Sequence, residues 1–345
     1  AASSVTHCLD GWSYLGRAAG AHLRGDHDSS RHLGYYAELR AAMALLATAG
    51  IGVFDTKHFV VNRSRNCERI PGTLGTHKFI WQALEHWAGT TPAADLVLRV
   101  VQPGGHSLSE WLDQFSTGDV SRSVLAGVWI LQWGLDLKRL SEDRNARNVA
   151  SYRPTAFISP RASRASSSLH FITELWEICE PSESLGFPNL DKYLLRQSLE
   201  LLFGKAHGRS SNRAKRLFRQ QTKTMLEGLP LSDPQRQFWM KFLKDESSKT
   251  LPLLLKEARG SADIFDPHHH RQVLARAALL LRMATGACQN RLKTVTDFER
   301  SKLKFWWSPL GEDRGLWHTG DDPKGFSDLW IDVKEAINDV NLWKQ

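Results

Sequence analysis

The sequence predicts a mainly α fold built as two helical-bundle domains, and three observations predict it. Apolar residues recur at helical spacing along most of the chain, β-branched runs are confined to one short stretch, and Pro/Gly punctuation cuts the chain near residue 184. Trp12, Leu15, Ala19 and Leu23 share one face of a first helix, and Tyr36, Leu39, Met43 and Leu46 one face of a second that Gly50 ends. The runs IGVF and HFVV, separated by Asp55, Thr56 and Lys57, read as a small hairpin. The polar, basic stretch Asn62 to Gly75 reads as an exposed loop, so 51–75 is an insertion. A helix resumes near His77, carrying Phe79, Ile80, Leu84 and Trp87 until Gly89 and Pro92 break it. Leu96 to Val101 fits a strand and a helical turn equally.

Val124 to Leu140 reads as a core helix, its apolar face widened by Trp129 and Trp133. Arg161 to Ser168 reads as a mobile loop before a helix over Leu169 to Cys179. Glu180, Pro181, Gly186 and Pro188 then place a boundary, giving domains 1–184 and 185–345. In the second, helices are expected over Leu190 to Phe203, over Pro234 to Leu243 with Ser232 and Asp233 as caps, and over His270 to Thr285. Trp306, Trp307, Trp317, Trp330 and Trp343 suit a tail packed across other helices.

With 345 residues, 41% hydrophobic and 24% charged, the chain holds enough apolar material for two cores. Its 45 Lys plus Arg against 37 Asp plus Glu leave +8, which favours a polyanionic partner. Cys8, Cys67, Cys179 and Cys288 form no CxxC pair, which argues against a zinc ribbon and a disulfide framework and fits a reducing cytoplasm. The stretch Ala1 to Tyr14 has no basic start followed by an apolar core, and no apolar run reaches bilayer length, so a cytoplasmic protein without membrane contact is expected.

Several chemistries find no template. GxxxxGK[ST], GxGxxG after a strand, HExxH and GxSxG are all missing. His268, His269 and His270 adjoin Asp266, but consecutive residues point in different directions, so they read as the capped start of a surface helix. His318, Asp321 and Asp322 lie in a turn sequence. Neither a metal nor a cofactor is expected.

The basic segment 205–223 is the clearest binding lead. Lys205, Arg209, Arg213, Lys215, Arg216, Arg219 and Lys223 occur with no acid between Leu201 and Leu226. One sign of charge at that density repels itself unless it is solvated or faces phosphate, and Lys and Arg contact phosphate without reading bases. Arg209, Arg213 and Arg216 keep the spacing of one helical face. A solvated loop and an acidic protein partner are the competing readings.

Glu142 to Pro154, EDRNARNVASYRP, follows the apolar helix 124–140. Together with the upstream GYYAELRAAMALLATAGIGVF, this run resembles the HEPN superfamily of prokaryotic helical domains, over roughly the first 180 residues. The family signature pairs Arg and a polar residue with a later His, which implies metal-independent RNA cleavage near a dimer interface. Arg147 and Asn148 match its first two positions, and Tyr152 stands in place of the histidine. Guanidinium steadies phosphate charge and imidazole moves protons near neutral pH, whereas a phenol of reference pKa about 10 is a poor base there. Arg17 to His22, Arg99 to His106 and Arg164 to His170 have similar spacing, but three such pairs are what chance supplies among 28 Arg and 14 His. In the competing structural reading, Arg144 and Arg147 neutralise carbonyls at a helix end while Tyr152 packs inward.

The resemblance therefore implies a non-catalytic or weakly catalytic subunit of a prokaryotic anti-phage defence complex, binding nucleic acid, DNA or RNA, or a partner ATPase or nuclease, and able to form a homodimer. A HEPN-type ribonuclease using Arg147 and a purely structural assembly subunit are the alternatives.

Overall fold

The computed structural model describes residues 2–62, 66–115, 165–180, 186–207, 212–244, 251–260 and 269–293, with positions 309, 312, 318 and 319. Among them are eleven α-helices and one three-stranded antiparallel sheet, so the protein is mainly α. The first two helices, α1 (Ala2–Leu23) and α2 (His27–Thr48), form a helical hairpin across a three-residue turn. Asp26 closes that turn, its carboxylate accepting from the Ser29 amide at 3.0 Å as the N-cap of α2. Gly25 has φ +78, which a side chain rarely adopts, and lets the chain reverse this tightly. Gly50, at φ +84, follows the α2 C-cap where the sequence places the helix end.

Next come β1 (Ile51–Phe54), β2 (Lys57–Val61) and β3 (Cys67–Ile70) in the order β1-β2-β3. Val53 faces His58 across the first pair, and Val61 faces Cys67 across the second. The expected exposed loop over 62–75 thus supplies a third strand. Asn62 makes the return possible: its side chain accepts from the Asn66 amide at 2.9 Å and donates to Glu68 at 2.7 Å.

Helix α3 (Thr76–Ala88) leads to α4 (Thr91–Val100), α5 (Leu108–Asp113), α6 (Ala165–Cys179) and α7 (Pro188–His207). The ambiguous run near Leu96 is helical, because Thr90 caps α4 and Pro92 suits its first turn. Helix α6 begins at Ala165, within the expected loop, and Arg271 secures that early turn by donating to Ser167 Oγ at 2.9 Å. The chain closes through α8 (Asn212–Gly228), α9 (Asp233–Lys244), α10 (Leu253–Ala258) and α11 (His269–Lys293). Ser232 precedes α9 as expected of a cap, its amide and hydroxyl both donating to Gln235 Oε1, at 2.9 and 2.8 Å. The helix expected over 124–140 and the tryptophan-rich tail lie outside the described residues.

Helix α11 is the centre of the packing. It lies against both α1 and α2, and from Val273 to Cys288 nearly every residue is buried, which is how a helix enclosed on all sides reads. The two halves of the chain meet along it. Trp12 donates to Thr285 Oγ1 at 3.0 Å, and Thr285 in turn donates to the Leu281 carbonyl at 2.8 Å. Two buried ion pairs cross the same surfaces. Arg276 reaches Glu38 at 3.4 Å, and Arg282 grips Asp191 with Nε on Oδ1 at 2.9 Å and Nη2 on Oδ2 at 2.7 Å.

Close approach of α4 to α11 depends on a missing side chain. A Cβ on Gly286 would stand 2.8 Å from Val100 Cβ and 3.0 Å from Arg282 Nη1. Alanine gains about 1 kcal/mol of helix propensity over glycine, but overpacking costs about 1–3 kcal/mol. Val100 Cβ is fixed to backbone and cannot swing aside. Gly286→Ala is therefore expected to lower the urea midpoint with an unchanged m-value, the mark of lost stability in an intact fold.

All four cysteines are free thiols, and Cys8, Cys179 and Cys288 are buried while Cys67 is exposed. Burial pushes the Cys179 thiol up to about 12, so it stays protonated and inert at neutral pH. No described helix is long and apolar enough to cross a membrane.

Candidate functional site

The basic segment is displayed by α8. Ala214, Thr222, Met225 and Leu226 turn inward, with Leu217 and Phe218 half-buried, while Arg213, Lys215, Arg216, Arg219 and Lys223 are exposed. At 100° per residue the five cations fall within an arc of roughly 160°. Phe218 holds the helix in place, its ring meeting Phe203 edge-on at 5.2 Å and Phe115 at 5.9 Å. Thr222 donates to the Phe218 carbonyl at 2.8 Å, which satisfies its buried hydroxyl. The result is an apolar seat beneath an outer face that carries five exposed cations.

Little opposes that charge among the described residues nearby. Glu227 is the one acid on the helix, at its far end, and pairs with Lys223 at 3.7 Å. Arg213, Arg216 and Arg219 form no ion pair among the described residues. Arg213 and Arg216 share the outer face, Arg209 lies outside the described residues, and Lys205 sits in the last turn of α7 with a side chain outside them. Helix α9 packs on α8 and adds exposed Lys241 and Lys244, together with Phe238 at 51% exposure. No charge run in the sequence marks these three, although a cation beside an unburied aromatic is what a base-stacking surface needs.

Arg147, Asn148 and Tyr152 lie outside the described residues, as do Arg164 and Asp266 to His268. Arg17 and His22 do not converge. Arg17 is exposed and donates to Ser13 Oγ at 2.8 Å, whereas His22 is buried with its ring edge-on to Phe171 at 5.4 Å.

His269 and His270 open α11 but are buried, at 0% and 1% exposure, so the expected surface helix start is instead an interior one. The cause is tertiary, since the first turn of α11 enters between α6 and the α1–α2 turn. There His270 meets two rings from distant sequence. His27 stacks on it at 4.1 Å with planes 9° apart, and His22 lies 4.9 Å away. Burial lowers the His27 pKa, with the positive charges of Arg271 and Arg31 adding to it. Burial lowers His270 further, followed by the neighbouring His22 and His27. Arg31 is itself paired with Asp28 at 3.1 Å.

No family model, curated protein or solved structure matches the chain.

Proposed function

We propose that the chain is a non-catalytic subunit that binds nucleic acid, DNA or RNA, through the outer face of α8, within a multi-subunit prokaryotic defence assembly. The observation that supports the binding is the five-cation face of Arg213, Lys215, Arg216, Arg219 and Lys223, exposed on a helix whose opposite side is anchored in the core. A rigid array attracts phosphates at a smaller entropic cost than a floppy loop would. The defence setting rests on the HEPN resemblance of the run around Arg147, Asn148 and Tyr152. The non-catalytic reading rests on a phenol where an imidazole would be needed.

Affinity for a generic duplex, measured by fluorescence anisotropy across a salt series, tests the reading. Five phosphate contacts predict a log–log slope of about −4.5, because each contact contributes about −0.9. A slope near zero would discard the nucleic-acid assignment and leave the assembly-subunit reading. Incubation with labelled RNA in chelator is expected to give no products. Cutting that Arg147→Ala abolishes would replace this proposal with the ribonuclease.

A further inference from the structure

We propose that His22, His27 and His270 form a binding site for a d-block divalent cation, Zn²⁺ being the natural occupant. One nitrogen from each ring can be chosen so that all three lie within 4.8 Å of one another. Tetrahedral zinc with metal–nitrogen bonds near 2.05 Å needs nitrogens about 3.4 Å apart, so no pair has to close by more than about 1.4 Å. Ring rotation supplies movements of that size, at the expense of the His27–His270 stack.

His270 is 1% exposed, yet among the described residues neither of its ring nitrogens has a hydrogen-bond partner. Nε2 of His27 is buried and lacks one as well. Buried imidazoles with unmet nitrogens are costly, and a shared cation satisfies them together. A neutral imidazole offers an in-plane lone pair on its unprotonated nitrogen, which is what a metal requires.

The scaffold also suits a site. His22 lies in the last turn of α1, His27 is the first residue of α2 and His270 the second of α11, so three separately anchored helix ends deliver the ligands. Gly25 and the Asp26 cap fix the distance between the first two. His27 is only half-buried, which gives the ion a way in from solvent. Of the two nearby cations, Arg31 is engaged by Asp28, and Arg271 by Ser167 and the face of Phe171 at 5.5 Å. Imidazole donors favour zinc, copper, nickel and cobalt over magnesium or calcium. Three ligands leave the fourth position to water.

Tag-free protein stripped with chelator and titrated with Co²⁺ decides the question. Wild-type protein is expected to take up one equivalent with the intense visible band of a tetrahedral site, to lose that band when one equivalent of Zn²⁺ is added, and to melt at higher temperature with Zn²⁺ than without. His27→Ala, which alters a half-exposed ring, is expected to weaken uptake at least tenfold, and His270→Gln to abolish it. His32→Ala, on the same helix but outside the cluster, is expected to bind as wild type does. No uptake by the wild-type protein would overturn the site, and so would uptake unchanged in His27→Ala, a variant that keeps the proposal testable if His270→Gln fails to fold.

Discussion

Asp191→Ala is expected to destabilise the protein by about 3–5 kcal/mol, the range for leaving one member of a buried ion pair without the other. Asp191 lies in the first turn of α7 with no solvent exposure, and Arg282 in α11 is 2% exposed. The carboxylate does three things at once. It accepts both prongs of the Arg282 guanidinium and, through Oδ2, the Gln102 amide at 2.7 Å. Arg282 also donates to the Val100 carbonyl at 2.7 Å and lies 5.1 Å over the Phe187 ring. Three segments distant in sequence therefore meet at one buried charge, and removing the anion strands a cation that water cannot reach. Since a domain holds about 5–15 kcal/mol in total, the loss takes a large share of its stability. Urea unfolding of the single variants and of Asp191→Leu with Arg282→Met measures it. The double variant is expected to cost less than Asp191→Ala alone, because no charge is left unpaired. A single-variant loss below about 1 kcal/mol would mean that solvent hydrates the pair.

The same residues show where sequence reasoning ends. Helices announced by a stripe were legible, because Trp12, Leu15 and Ala19, or Val273, Ala277 and Leu281, keep helical spacing whatever they pack against. Strand β3 was not legible, because Cys67 to Ile70 has no apolar alternation and owes its pairing to Asn62 and to the open edge of β2. Arg276 and Arg282 are both enclosed, and no local pattern on α11 announces it, since only tertiary structure brings Glu38 and Asp191 to them. Likewise His270 looked like one of three adjacent surface histidines. Its ring neighbours come from the α1–α2 turn, about 245 positions earlier, and no local spacing reports that. The basic face was legible for the opposite reason. Charge on an exposed helix depends on its own sequence, so Arg213 and Arg216 fall together by periodicity alone.

Reversing Arg213 and Arg216 to Glu together is expected to weaken nucleic-acid binding about 100-fold near physiological salt. Each swap removes a cation and installs an anion, so the face changes by four charges. At about 0.7 kcal/mol per charge, inside the range of exposed ion pairs, the sum is about 2.8 kcal/mol, and each 1.4 kcal/mol is tenfold. The salt dependence should change in step, the log–log slope losing about 1.8 as two phosphate contacts disappear. Folding should not suffer. Both side chains are exposed, Glu and Arg have similar helix propensity, and Arg213 is the second residue of α8, where a carboxylate complements the positive helix end. Thermal melting within about 0.5 kcal/mol of wild type is the control. Arg17→Glu, on the exposed side of α1, changes the net charge without touching α8 and is expected to shift affinity only a few-fold. Equal losses in the α8 pair and in Arg17→Glu would reduce the effect to overall charge, and unchanged binding in the pair would move the contact off α8 altogether.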